Sequence, residues 1–346
     1  MSFKEIIGQD RAVAMLSGSI ARRRLAASYL FCGESGVGKK TAALNFAKAL
    51  NCLNAAESIS DNEPQAGGRK SDDLTSNLAP RTSTVSSPDS CDECESCLKM
   101  DAGVHPDLLL VSPEERQTRI EEIRQIDEFL SMKPFEGRKK AVIVDDAETM
   151  NMSAANAFLK TLEEPPGESV IILVSSRPEL LPATIRSRCA RINFSPLSQE
   201  SCVGVLEDKI KAEDLVLSAR LSMGRPGIAL SAGLLEERTW FLDLFRSMME
   251  GEKDAWASRD DMDRWFGHML TLLRDIAVLK VTSKSSLLMN VDLPDYVAEL
   301  GKDCDLKVII EAYNELNRVR NRLRFNLNKS VTWNYTSSLL RKEFAS

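Results

Sequence analysis

The stretch SYLFCGESGVGKKTAALNFAKAL, residues 28–50, constrains the fold more tightly than any other segment. It reads as a short apolar and aromatic strand, a glycine-rich turn, and a helix from Lys39 to Leu50 with Ala and Leu on one face. A turn in that setting points its backbone N–H groups at a phosphate from the helix N-terminus. Gly33, Gly38 and Lys39 satisfy the spacing G-x-x-x-x-G-K, with Gly36 a further glycine inside the turn. The Ser or Thr expected next, whose hydroxyl would hold magnesium, is replaced by Lys40. Thr41 comes one residue late, about 100° further round the helix.

The rest of the first 197 residues repeats the alternation. Helical periodicity runs from Ala12 to Arg24, and HPDLLLVSP, KKAVIVDDAETM and ESVIILVSS read as strands. Between them RIEEIRQIDEFL is an amphipathic helix, and SAANAFLKTLEEPP is a helix stopped at Pro165. Near-continuous apolar strands separated by helices predict a parallel sheet covered on both faces. After about Pro196 the strand signals fade, and TWFLDLFRSMM, DRWFGHMLTLLRDIAVL, KVIIEAYNELNRVRNRL and YTSSLLRKEF are helical in period. That shift marks a domain boundary, which a chain of 346 residues is long enough to hold. Residues 55–90 are poor in large apolar side chains and rich in Ser, Asp, Pro and Gly, so a disordered insertion is expected there.

Composition excludes several classes. A net charge of −6 supplies no global basic field for nucleic acid, so such contact needs a local patch. RQTR and GRKK are basic stretches of that kind, read first as solvated surface. The start MSFKEIIGQD has no signal pattern and no apolar run approaches a membrane span, so a cytoplasmic location with no membrane partner is expected. The eight cysteines are then thiols or metal ligands rather than disulfides.

Cys91, Cys94 and Cys97 stand at C-x2-C-x2-C spacing, and Cys52 is the natural fourth ligand for a tetrahedral structural Zn2+. An iron–sulfur run has similar spacing, but its next cysteine would fall at Asp101. Free thiols are the remaining reading. Cys32, Cys189, Cys202 and Cys304 are isolated and read as small buried residues. Asp145 ends a strand where a phosphate-loop site places its magnesium-coordinating acid. Asp146 stands where a water-activating Glu is usual, one methylene shorter. The plain alternative is two solvated acids. His105 reads as a turn or strand-entry residue. Arg186 and Arg188 in IRSRCARI are either a solvated turn or cations aimed at a phosphate held by another chain.

IIGQ, YLFCGESGVGKKT, the four cysteines, HPDL, VIVDDAETMNMSAANAFLKTLEEPP and RSRC occur in an order that resembles bacterial DNA polymerase III clamp-loader subunits of the AAA+ family. The segment LRFNLNKSVTWNYTSSLL is similar to the Asn-rich final collar helices of that family. The resemblance implies an α/β AAA+ domain over 1–197 with the zinc module (52–97) inserted, a small helical lid over 198–234, and an all-α collar over 235–346. It implies assembly with gamma/tau motor and delta subunits in a pentameric ring that places the beta sliding clamp on primer-template DNA.

Within the family the chain departs from the gamma/tau motor branch at Lys40, at Asp146, and at Gly227, which stands where the motor has a sensing arginine, with Arg225 two residues early. The absence of a long tail after Ser346 is read the same way. These departures resemble the delta-prime branch, in which ATP or ADP binding is possible and hydrolysis is lost. The resemblance carries the role of a finger acting in trans onto Arg188 and a sensor position onto Ser175. An active AAA+ ATPase of the motor type, and a free-standing nucleotide-dependent zinc protein, are the alternatives.

Overall fold

The computed structural model describes residues 2–54, 89–113, 117–231, 233–251 and 256–344. The insertion expected at 55–90 falls almost wholly outside the described residues. The chain divides into two compact units, 1–197 and 198–346.

In the first unit five strands form one sheet: β1 Ser28–Cys32, β2 Leu108–Val111, β3 Lys140–Val144, β4 Ser169–Ser175 and β5 Ala190–Asn193. They lie in the order β2-β3-β4-β1-β5, and every pairing is parallel. Because side chains alternate across a strand, β1, β3 and β4 feed two cores. Tyr29, Phe31, Ala141, Ile143, Val170, Ile172 and Val174 pack on one face with the helices α1 Asp10–Ala21 and α2 Lys39–Asn51. Leu30, Val142, Val144, Ile171 and Leu173 pack on the other with α4 Ile120–Ser131 and α5 Met152–Glu163. A short helix, α3 Glu95–Asp101, follows the cysteine cluster, and α6 Ala183–Arg186 precedes β5.

Three differences from the sequence reading stand out. Helix α1 starts at Asp10 and ends at Ala21, because Arg22 closes it and Arg23 turns into the left-handed region at φ 51°. Strand β5 is an edge strand that the apolar pattern did not announce. GRKK is solvated only in part: Arg138 is exposed while donating to the Cys52 carbonyl, but Lys140 is buried over the Phe129 ring, 3.9 Å from its centroid.

The second unit is helical throughout its described residues. It runs α7 Gln199–Leu206, α8 Ala212–Leu221, α9 Pro226–Leu230, α10 Leu234–Glu250, α11 Arg259–Thr282, α12 Pro294–Gly301, α13 Leu306–Arg322 and α14 Lys329–Phe344. Ser258 caps α11 reciprocally with Asp261, satisfying two of the N–H groups that a helix start leaves free. The core is aromatic: Trp256 meets Trp265 and Trp333 edge-on at 5.5 and 5.0 Å between centroids. Buried Asp275 accepts the N–H groups of Met289 and Asn290, fixing the crossing from α11 to α12. No helix among the described residues is long and apolar enough to cross a membrane.

Candidate functional site

The glycine-rich turn leaves β1 at the middle of the sheet and enters α2. Gly36 and Gly38 hold positive φ values of 83° and 95°, which glycine adopts without a Cβ clash. Gly33 is required by proximity, since an added Cβ would stand 2.5 Å from the Phe194 carbonyl oxygen. Its N–H donates to the carbonyl of Ser175, so the turn is anchored to the end of β4.

Lys39 is buried and folds back into the turn. Its ammonium donates to the carbonyls of Gly33 and Glu34, both at 2.7 Å, and to Ser176 Oγ at 3.1 Å. Burial pushes its pKa down, against the pull of Glu148, Asp146 and Asp145. Lys40, in the place of the missing hydroxyl, sets its Nζ 2.9 Å from Asp145 Oδ2. Thr41 is exposed and takes no part in this arrangement.

Asp145 is therefore paired to a cation of its own chain. A divalent ion at coordination distance from the carboxylate would stand within about 5 Å of that ammonium. The repulsion is on the order of several kcal/mol before solvent screening of the part-exposed lysine. Magnesium, coordinated as in a working phosphate-loop site, does not fit these residues. Asp146 sits in the left-handed region at φ 44°. Its carboxyl is raised above the usual range by desolvation and by the charges of Asp145 and Glu148.

Glu148 is a member of the site that the sequence reading missed. Its Oε1 accepts the N–H groups of Ser176 and Arg177, and its Oε2 is buried without a partner. The Ser175 hydroxyl is likewise fully buried and unpartnered. The only sequence signal for Glu148 was its position three residues past Asp145, where one tight turn returns it to the same side.

A second missed residue, Gln9, ties the turn to the edge strand by donating to the carbonyls of Val37 and Ser195. Beside it opens a cavity of about 530 Å3 lined by Gln9, Arg11, Met15, Arg191 and Asn193 among others, within the size range of small-ligand sites.

Arg188 lies in the turn between α6 and β5. Its guanidinium donates to the Thr184 carbonyl and to the Glu163 carboxylate at the end of α5, and its side chain stays about one-third exposed. Arg186 ends α6 and is exposed. In the second unit Arg225 caps α9, its Nε donating to the Ser222 carbonyl, and Gly227 lies in the first turn of that helix.

The sulfurs of Cys52, Cys91, Cys94 and Cys97 all lie within 4.8 Å of one another. A tetrahedral ion with metal–sulfur bonds of about 2.3 Å needs sulfurs about 3.8 Å apart, so the cluster closes on a metal with small movements. Backbone N–H groups of Cys91, Cys94 and Cys97 point at the sulfurs of Cys52, Cys91 and Cys94, as thiolate ligands require. Burial opposes ionisation of Cys94, but hydrogen bonds from the Cys97 and Leu53 backbone bring it down to about 7.

The cluster is clamped to the sheet domain by Lys48, which is 1% exposed and ion-paired to Asp92 and Asp101. Underneath, Asp107 N–H donates to His105 Nδ1, so Nε2 carries the proton and faces Ser96 Oγ at 3.1 Å. Ser96 in turn donates to the Asn51 carbonyl. His105 thus works as a buried strand-entry residue. Cys32, Cys202 and Cys304 are buried and Cys189 half-buried, apart from the cluster.

The family model described as DNA polymerase III, delta subunit, matches residues 8–70 and 64–198, more than half of the chain. The delta' subunit of DNA polymerase III from Bacillus subtilis is 32% identical over 207 residues, covering 60% of this chain and 52% of that protein. The Pseudomonas aeruginosa delta' subunit is 30% identical over 263 residues, covering 73% of this chain and 70% of that protein. The Bacillus subtilis tau subunit is 30% identical over 213 residues, 62% of this chain and 32% of that protein. The chain thus spans about half the length of the first of these relatives and a third of the last.

Proposed function

Since this chain belongs to the clamp-loader AAA+ family of bacterial DNA polymerase III subunits, we propose that it is a delta-prime-type stator. On this reading it does not hydrolyse ATP itself, and it serves a ring formed with gamma/tau and delta subunits that loads the beta sliding clamp on primed DNA. The observation that carries this reading is the Lys40–Asp145 pair at 2.9 Å. One residue removes the metal's hydroxyl ligand and also neutralises the metal's acid. Asp146 in place of Glu, and Gly227 in place of the lid arginine, act in the same direction.

A subunit without turnover is still needed if it completes its neighbour's site, and Arg188 is the residue for that role. A guanidinium is always protonated and can fork two donors onto phosphate oxygens. Glu163 and Thr184 hold it at the surface, part-exposed, where a partner's phosphate can reach it. Fingers supplied in trans are worth about 10³–10⁵ in rate at the site they serve. The helical collar (235–346) is then the part that joins this subunit to its neighbours in the ring. Cys52, Cys91, Cys94 and Cys97 hold a structural Zn2+, whose four protein ligands leave no position for a reacting water.

The similarity to tau subunits favours a second reading, an active ATPase of the gamma/tau type. Magnesium-dependent ATP turnover by the purified chain, abolished by Lys39→Ala, decides for that second reading; its absence supports the stator. In a ring reconstituted with gamma/tau and delta, Arg188→Ala is expected to leave assembly and metal content intact while lowering clamp- and DNA-stimulated ATPase and loading. Arg186→Ala is expected to have the smaller effect. Loading at the parent rate by Arg188→Ala rings would reduce the subunit to a scaffold.

A further inference from the structure

We infer that Lys40 takes over the work of the divalent cation, and that the loop binds a nucleoside triphosphate free of metal. This rests on the reading of the turn as a nucleotide site that has lost hydrolysis.

A triphosphate brings about four negative charges, which a working loop meets with one lysine, helix N–H groups and a magnesium ion. Here the acid that would coordinate the ion is already held by an ammonium, and the hydroxyl that would complete the coordination is gone. What replaces them is a second cation at the second position of the same helix. An ammonium has three donors. Asp145 takes one from Lys40, whose side chain is 43% exposed and makes no other hydrogen bond or ion pair among the described residues. Two donors are thus free on the open side, next to the unpaired N–H groups and the positive dipole end of α2.

Lys39 is held by two carbonyls and the Ser176 hydroxyl, all neutral oxygens that phosphate oxygens outcompete as acceptors. At the base of the turn the Ser175 hydroxyl is fully buried and has no partner, on the residue whose carbonyl anchors Gly33. A polar group left orphaned at that depth points to a ligand that the chain itself does not supply. Asp145 keeps its pairing when the phosphate arrives, so Lys40 bridges carboxylate and phosphate as the metal does elsewhere. Magnesium-complexed ATP has lost two of the charges that the two lysines meet, which makes it the poorer ligand.

The test is ATP binding by the full chain, measured calorimetrically in excess EDTA and again in excess magnesium. The parent is expected to bind ATP in EDTA at least as tightly as in magnesium. Lys40→Ser is expected to lose about tenfold or more in EDTA, the worth of one charge-assisted hydrogen bond, and to regain affinity when magnesium is added. Lys40→Met, which keeps the aliphatic stem, should lose affinity in EDTA without that recovery; circular dichroism confirms that both variants fold. Binding by the parent that requires magnesium, no binding in either condition, or a Lys40→Ser protein equal to the parent in EDTA each overturns the inference. None of those results touches the stator reading, which falls only on magnesium-dependent turnover.

Discussion

Asp107 has no free face: its carboxylate is fully buried and accepts the N–H groups of Phe135, Glu136 and Gly137 at 2.7–2.9 Å. Burial alone would raise its pKa, but those three donors and Lys140 hold it below the usual carboxylate range. A folded pKa below the unfolded value of about 3.9 gives stability that is present above that value and lost as pH falls through the folded one. Asp107→Asn keeps the shape, loses the charge and turns an amide group toward the donors. It is expected to cost about 1.5–3 kcal/mol at pH 7, with the gap to the parent closing below about pH 4. Urea unfolding at pH 7 and pH 3.5 measures both. Gly33→Ala acts at the same scale, because Phe194 must give way to a Cβ at 2.5 Å. A loss of about 1–3 kcal/mol in thermal unfolding is expected, together with loss of any response to nucleotide.

Helix α2 connects two candidate sites, with Lys39 and Lys40 at its start and Lys48 in its last turn. Replacing Lys48 by Met removes the buried cation that Asp92 and Asp101 share. Both acids are part-exposed, so the loss falls near the low end for a broken buried pair, about 3 kcal/mol. Metal affinity is expected to drop about 10- to 100-fold, as when a partner that orients a ligand is removed. Competition with a chromogenic chelator reads this directly.

The elements also show what a single sequence reveals and what it hides. Strands β3 and β4 were legible because both faces are buried and the residues are apolar without interruption. Strand β5 was not, since only Ile192 of its four residues is buried and no period can be read from so short an edge. Lys40 was conspicuous as a substitution, yet its pairing with Asp145 depends on the sheet order that sets β4 between β1 and β3. Glu148 depends on a tight turn after β3, and the burial of Lys48 depends on the cysteine segment, whose Asp92 and Asp101 pair with it.

At the scale of the molecule, two cores share no residue. One is the two-faced sheet, and the other is built around Phe241, Trp256, Trp265 and Trp333. All four tryptophans of the chain, with Trp240 the fourth, belong to the second unit, while all four cysteines of the candidate metal site belong to the first. The protein therefore carries a natural optical partition. Indole emission reports the helical unit alone, and far-ultraviolet circular dichroism reports both. Stripping the metal with a strong chelator is expected to lower the melting temperature of part of the dichroism signal while the emission maximum and its thermal midpoint stay where they were. An emission shift in step with metal loss would mean that the two cores melt as one cooperative body, and a single fluorescence scan is enough to tell.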